Sequence, residues 1–190
     1  MAKQKLHKLV LIVCLSCVAA LPNTASAKDY QLRVSKKNKE LIVERSGEIV
    51  KRYQIASGKG GKGTKRRQGD GKTPLGTYRI LSFKDSDRFH FFMQLDYPNL
   101  IDAWYGYKNK IISAEEFKQI ATAYKQREKP PQDTGLGGFI GIHGIGETTE
   151  KKLAIHENLD WTDGCIALTN EEVLELRQYV DVGTQIVIAE

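Results

Sequence analysis

Thr162-Asp163-Gly164-Cys165-Ile166-Ala167-Leu168-Thr169-Asn170-Glu171-Glu172 reads as a turn, a short apolar strand and a helix start in one continuous run. Cys165 directly follows Gly164 and stands at the mouth of a short strand at 165–168. Thr169 and Glu172 form the reciprocal pair of a capping box, and Val173, Leu176 and Val180 follow as the apolar stripe of a helix. Asp181-Val182-Gly183 turns the chain, and 185–188 closes it as a strand.

Working outward, the run 139–143 is apolar and bounded by glycines, which predicts a buried strand ending at His143 and Gly144. Ser113-Ala114-Glu115-Glu116 is a second capping box. Phe117, Ile120, Ala121 and Tyr124 recur behind it at helical spacing, and Pro130-Pro131 ends that helix. The stretch 153–158 reads as loop or a strand end. Alternating or apolar runs at 31–34, 41–44, 49–56, 77–82 and 91–95 predict further strands, with a tight turn at Ser46-Gly47 and a glycine-rich, basic loop at 57–72. The sum is a mostly β (α+β) domain with two or three helices, arranged as a sheet sandwich or barrel. The segment 84–137 is longer than a compact connection needs, and reads either as a packing subdomain or as a lid over a cleft.

The first 27 residues follow another pattern. Lys3, Lys5 and Lys8 precede an apolar run at 9–21, then Pro22 and Ala25-Ser26-Ala27, which predicts a secretory signal cut after Ala27. The run is short of the roughly 20 residues a retained membrane anchor needs. A lipid attachment at Cys17 fits less well, because Cys14 and Leu15 occupy places where that signal takes a Leu-like and a small residue. Residues 28–190 then form one domain, and loss of three lysines lowers the net charge from +6 to about +3. That charge suits an anionic polymer without demanding nucleic acid, and Lys65-Arg66-Arg67 lacks the interleaved aromatics of a nucleic-acid patch. Gly71-Lys72-Thr73 ends like a phosphate-binding loop, but Arg66 stands where its first glycine belongs and Pro74 blocks the helix start. No cluster of metal ligands is visible, so neither metal nor cofactor is expected.

Cys14 and Cys17 leave with the signal, which makes Cys165 the sole cysteine of a chain sent to an oxidising compartment. It is either buried and inert or kept as a thiol for chemistry. In the second case an imidazole can take its proton to form an ion pair, and backbone N–H groups around Gly164 and Cys165 can hold an oxyanion. Gly164 then matters because a side chain would crowd the substrate carbonyl. His143, in its glycine frame Gly141-Ile142-His143-Gly144, is favoured as the base over His156, which is nearer in sequence; His90 reads as a packed or surface histidine.

His143-Gly144 followed by Thr162-Asp163-Gly164-Cys165 resembles the hallmark of the L,D-transpeptidase catalytic domain (YkuD) family. Thr73-Pro74-Leu75-Gly76-Thr77-Tyr78 resembles that family's Thr-Pro-x-Gly-x-Tyr/Phe segment, and Tyr97-Pro98-Asn99 and the stretch 164–172 resemble one of its branches. Asp163 departs from the histidine many members carry there, and Ala167 from their Arg or Asn, which puts the finer substrate preference in doubt. The resemblance covers nearly all of 28–190.

It implies a YkuD-like β-sandwich or barrel with a helix after the nucleophile strand and a helical insertion over the cleft. It also implies a periplasmic peptidoglycan enzyme in which Cys165 attacks a stem tetrapeptide and His143 is base and acid. Gly144, Thr162, Asp163, Gly164 and Tyr97 would contact substrate. D-alanine would leave, and a thioester would pass to an amine on a second stem or on an envelope lipoprotein or outer-membrane protein. Transfer to water would instead make a hydrolase. A non-catalytic wall-binding module is the reading of another class.

Overall fold

The computed structural model describes residues 29–190; residues 1–28, which include the predicted export signal at 1–27, lie outside them. Among the described residues eight strands form one sheet and four helices pack around it. Strands β1 (Tyr30–Ser35), β2 (Glu40–Arg45) and β3 (Glu48–Gln54) make an antiparallel meander. Its second hairpin turns on Ser46 and Gly47, both at positive φ (51° and 82°), the mirror-image turn that matches the natural strand twist. Strand β8 (Gln185–Ala189) joins β1 in parallel, so the C-terminus lies inside the sheet.

The long strand β4 (Gly76–Ser86) joins the two halves of the molecule. Its first residues pair with β8, from Gly76↔Ile188 to Arg79↔Gln185. From Ile80 onward, with a register shift between Ile80 and Ser82, the rest pairs with β5 (His90–Leu95). A bulge bends and twists its strand, so the sheet folds over at this point. Strands β6 (Gly141–Gly144) and β7 (Ile166–Leu168) follow β5 in the second half. Leu32, Tyr78 and Ile186 from one half meet Met93, Ile142 and Ile166 from the other in a single buried cluster. Two hydrogen bonds between Ala56 and Ala167 (3.1 and 2.8 Å) then join the chain beyond β3 to β7, and the sheet closes on itself. The expected mostly β, α+β architecture is thus what forms.

Helices α2 (Ala114–Gln126) and α4 (Asn170–Arg177) start on the two capping boxes read from the sequence. Val173, Leu176 and Val180 of the α4 stripe are fully buried. Helix α2 buries Ile120 and Ala123 and leaves Tyr124 exposed; it stops at Arg127 in a left-handed cap, before the prolines. Two further helices lie where the sequence reading placed none, against the two or three expected in all. Helix α1 (Leu100–Lys108) is capped by Asn99 and Asp102, and α3 (Glu150–Asn158) occupies the stretch read as loop. Ala103, Ile112, Ile120 and Leu136 give the insertion a small core of its own. No helix among the described residues is long and apolar enough to cross a membrane.

Candidate active site

Parallel pairing of β6 with β7 sets Ile142 beside Ile166 and His143 beside Ala167, so Cys165, just before β7, emerges next to the histidine strand. Both strands are buried along their whole length. Cys165 and His143 line one cavity of about 580 Å³, together with the aromatic rings of Phe89, Phe92, Phe139 and Trp161. Lys84, Arg88 and Lys129 also reach it, and Asp163 is the one acid among its lining residues.

His143 is 2 % exposed. Its Nδ1 lies 2.7 Å from the Gly144 carbonyl, which can only accept, so Nδ1 carries the hydrogen and Nε2 keeps its lone pair. Phe89 packs against the ring at 4.2 Å between centroids, and Trp161 meets it edge-on at 5.9 Å. Burial pushes the imidazole down to about 4, and the positive charges of Arg88 and Lys152 add to the effect. The Cys165 thiol donates to the Phe139 carbonyl at 3.4 Å. Burial pushes it up to about 11; Asp163 adds to this, and the Gly141 N–H opposes it. Both shifts favour a thiol beside a neutral imidazole over an ion pair, the thiol less strongly because Cys165 is only partly buried.

The turn before Cys165 is fixed by its own threonine. Thr162 Oγ1 donates to the Cys165 carbonyl at 2.7 Å and accepts from the Gly164 N–H at 3.1 Å. The Gly164 N–H is therefore committed to the turn. Gly164 sits at φ +133°, and a Cβ there would lie 2.7 Å from the Lys72 carbonyl oxygen and 3.0 Å from Ile140 Cδ1. The chain's own packing demands this glycine, where the sequence suggested a clash with substrate. From the outside, Lys59 N–H donates to Thr162 O (2.9 Å), Thr162 N–H to Ser57 O (3.1 Å) and Ser57 N–H to Asp160 Oδ1 (2.7 Å). The glycine-rich loop is thus a strap on the cysteine turn. Its interior is held by Lys65 Nζ, buried against Asp70 Oδ1 and the Arg67 carbonyl, each at 3.0 Å.

The other residues singled out from the sequence divide. Thr162 and Asp163 line the cavity; Asp163 is exposed at its rim and pairs with Lys59 Nζ at 2.7 Å, which holds its carboxyl below the usual range. Gly144, Gly164 and Tyr97 are not among the lining residues. Tyr97 is fully buried and donates its hydroxyl to the Leu136 carbonyl at 3.0 Å, so it is a core residue. Gly144 is buried where a Cβ would fall 2.6 Å from Asn170 Oδ1, so it lets α4 approach the histidine strand. His156 is buried on α3 outside the cavity, and Trp161 Nε1 reaches its Nδ1 at 3.5 Å. His90 is exposed at the start of β5. The aromatic wall was missed, although Arg88-Phe89-His90-Phe91-Phe92 alternates and Phe92 pairs beside His143. Helices α1 and α2 supply no lining residue; the insertion reaches the cavity through Lys84–Gln94 and Lys129.

The sequence profile of the L,D-transpeptidase catalytic domain (YkuD) matches residues 29–188. YafK of Escherichia coli K12, which carries a provisional L,D-transpeptidase name, is 28 % identical over 123 residues, 55 % of this chain and 50 % of YafK. Among solved structures, the helical cell shape determining protein Pgp2 of Campylobacter jejuni superposes with a TM-score of 0.56 at 25 % identity, covering 85 % of this chain and 47 % of Pgp2. Bd1075 of Bdellovibrio bacteriovorus has the same fold, with a TM-score of 0.53 at 21 % identity over 88 % of this chain and 50 % of Bd1075. The chain spans about half the length of these relatives.

Proposed function

The chain belongs to the L,D-transpeptidase catalytic-domain family, and from that premise we propose that it is a cysteine acyltransferase acting on peptidoglycan stem peptides in the periplasm. The observation that carries this reading is the cavity shared by Cys165 and His143. The cations Lys84, Arg88 and Lys129 around it, with the single acid already paired to Lys59, suit a substrate rich in carboxylates. A channel of this sign attracts the carboxylate ends of a stem tetrapeptide.

In the proposed reaction the thiol gives its proton to His143 Nε2 as the sulfur attacks the carbonyl of the third stem residue. The neutral resting pair means that transfer and attack are coupled to substrate binding, rather than preceded by a standing thiolate. With the Gly164 N–H engaged by Thr162, the Cys165 N–H is the donor assigned to the oxyanion. The carbon–nitrogen bond to the terminal D-alanine breaks, and the imidazolium protonates the leaving amine. The thioester passes to an acceptor amine, whose proton goes to His143 and on to the departing sulfur. The acceptor is a side-chain amine of a second stem, or a lysine of an envelope lipoprotein or outer-membrane protein. The chemistry needs neither metal nor cofactor. A second outcome starts from the same thioester: transfer to water, which gives hydrolysis.

Incubating the purified protein with tetrapeptide muropeptides and weighing the products separates these readings. Cross-linked dimers with loss of D-alanine mark transpeptidation, and tripeptide alone marks hydrolysis. A Cys165→Ala protein that retains every activity would sink both and leave a wall-binding module.

A further inference from the structure

The segment between α2 and β6 carries a hydrogen-bonding hub that the reaction above does not use. Gln132 is 8 % exposed and has both ends of its amide occupied. Its Oε1 accepts from Phe139 N–H at 2.6 Å and from Gln94 Nε2 at 3.0 Å. Its Nε2 donates to the Tyr97 carbonyl at 3.0 Å and the Pro130 carbonyl at 2.8 Å. Phe139, the residue it captures, sits at φ +55° with 61 % of its surface exposed. Left-handed backbone is unfavourable for a phenylalanine, and so exposed a ring gains little burial to offset it. Such a conformation persists where surrounding bonds over-determine it, and the 2.6 Å bond from Gln132 is the shortest one here. The Phe139 carbonyl is the group that receives the Cys165 thiol.

The geometry points to Gln132 as a positioning residue for Cys165: by holding the Phe139 amide it fixes the carbonyl that orients and retains the thiol hydrogen in the free protein. The functional part of this inference rests on Cys165 being the nucleophile; the part concerning thiol protonation does not. The sulfur is also faced by Asp163 on its own turn, the neutral His143 on β6, Lys65 of the glycine-rich loop, Arg88 from the β4–β5 turn and Lys129 after α2. None of these charges is altered by changing Gln132 to another neutral residue.

The test compares Gln132→Met, of similar length but unable to hydrogen-bond, with Gln132→Glu, which keeps oxygen acceptors for Phe139 and Gln94. In the full chain, alkylation of Cys165 by iodoacetamide is followed against pH by peptide mass spectrometry, beside kcat and KM on a tetrapeptide. Gln132→Met should lower the alkylation midpoint by about one pH unit, since a hydrogen bond to the neutral thiol is lost. It should lower kcat about tenfold, a loss the size of one hydrogen bond, with KM within about twofold. Gln132→Glu should recover kcat, the readout compared for it, because its carboxylate raises a nearby thiol by charge alone. A folded Gln132→Met with wild-type midpoint and kcat overturns the inference, as does a loss of kcat that Gln132→Glu fails to recover. If Gln132→Met does not fold, Phe139→Pro decides, because proline forbids positive φ and lacks the N–H. The same downward shift supports the inference, and an unmoved midpoint overturns it. Activity surviving in Cys165→Ala would instead sink the nucleophile reading, while the midpoint still reports on Gln132.

Discussion

The strand pair β6–β7 and the helical insertion are built on opposite plans. In the strand pair every residue is buried, and the reactive side chains are placed by the main-chain ladder, by Thr162 and by the Gly144 carbonyl. The insertion has a small core at Ala103, Ile112, Ile120 and Leu136, and it exposes Ile101, Trp104 and Tyr107. The first region has no conformational slack; the second joins the cavity mainly through flanking segments. The difference teaches that the placing of Cys165 and His143 is fixed by backbone, while helices α1 and α2, which line no part of the cavity, are free to differ in shape at little cost to that placing.

Their buried ionisable groups also respond oppositely to acid. His143 is held neutral down to about pH 4, so between that value and its ordinary 6.5 the unfolded chain binds a proton that the folded one refuses. Stability therefore rises with pH across that window. Asp102 of the insertion accepts from Tyr78 Oη at 2.9 Å and Asn99 N–H at 3.0 Å, yet burial still pushes it up to about 6. Between its ordinary 3.8 and that value the folded chain holds the extra proton, so stability falls as pH rises.

Four measurements would break or sharpen the contrast. His143→Ala should cost turnover about 10²–10⁴-fold, the range for loss of a general base; steady-state kinetics on a tetrapeptide check it. Ile120→Ala, in the insertion core, should cost about 2–5 kcal/mol in urea unfolding yet leave the pH profile of Cys165 alkylation unmoved; a moved profile would unite the two regions. Urea unfolding at pH 4 and pH 6 should separate the opposed titrations, each contributing up to about 3 kcal/mol. Asp102→Asn should gain more stability than wild type on going to pH 6, and His143→Gln should lose it. Smallest, Lys59→Ala at the cavity rim should change stability by no more than about 0.5 kcal/mol, because its pair with Asp163 is exposed on both sides.

Much of this was legible in advance, for reasons that lie in local chemistry. Thr169–Glu172 and Ser113–Glu116 announced their helices because a capping box is a short-range bond pattern. The Cys165 and His143 segments stood out because a glycine beside a reactive side chain is itself a backbone statement. Asn99 and Asp102 carried the same capping logic in another residue type, and α1 was passed over. Helix α3 buries only His156 and has no apolar stripe to read. Tyr97 resembled a site residue by its motif, but burial is decided by strands far away in sequence. Phe139 read as buried strand because its residue type is apolar; its exposed, left-handed state depends on Gln132, seven positions earlier.

The two bonds between Ala56 and Ala167 also constrain how a substrate can arrive. With β6 on one flank and Ala56 on the other, Ala167 has both main-chain groups bonded and offers none to an extended peptide docking as one more strand. Under the proposed function a stem peptide would instead descend end-on into the aromatic well, with its carboxylates toward Lys84, Arg88 and Lys129.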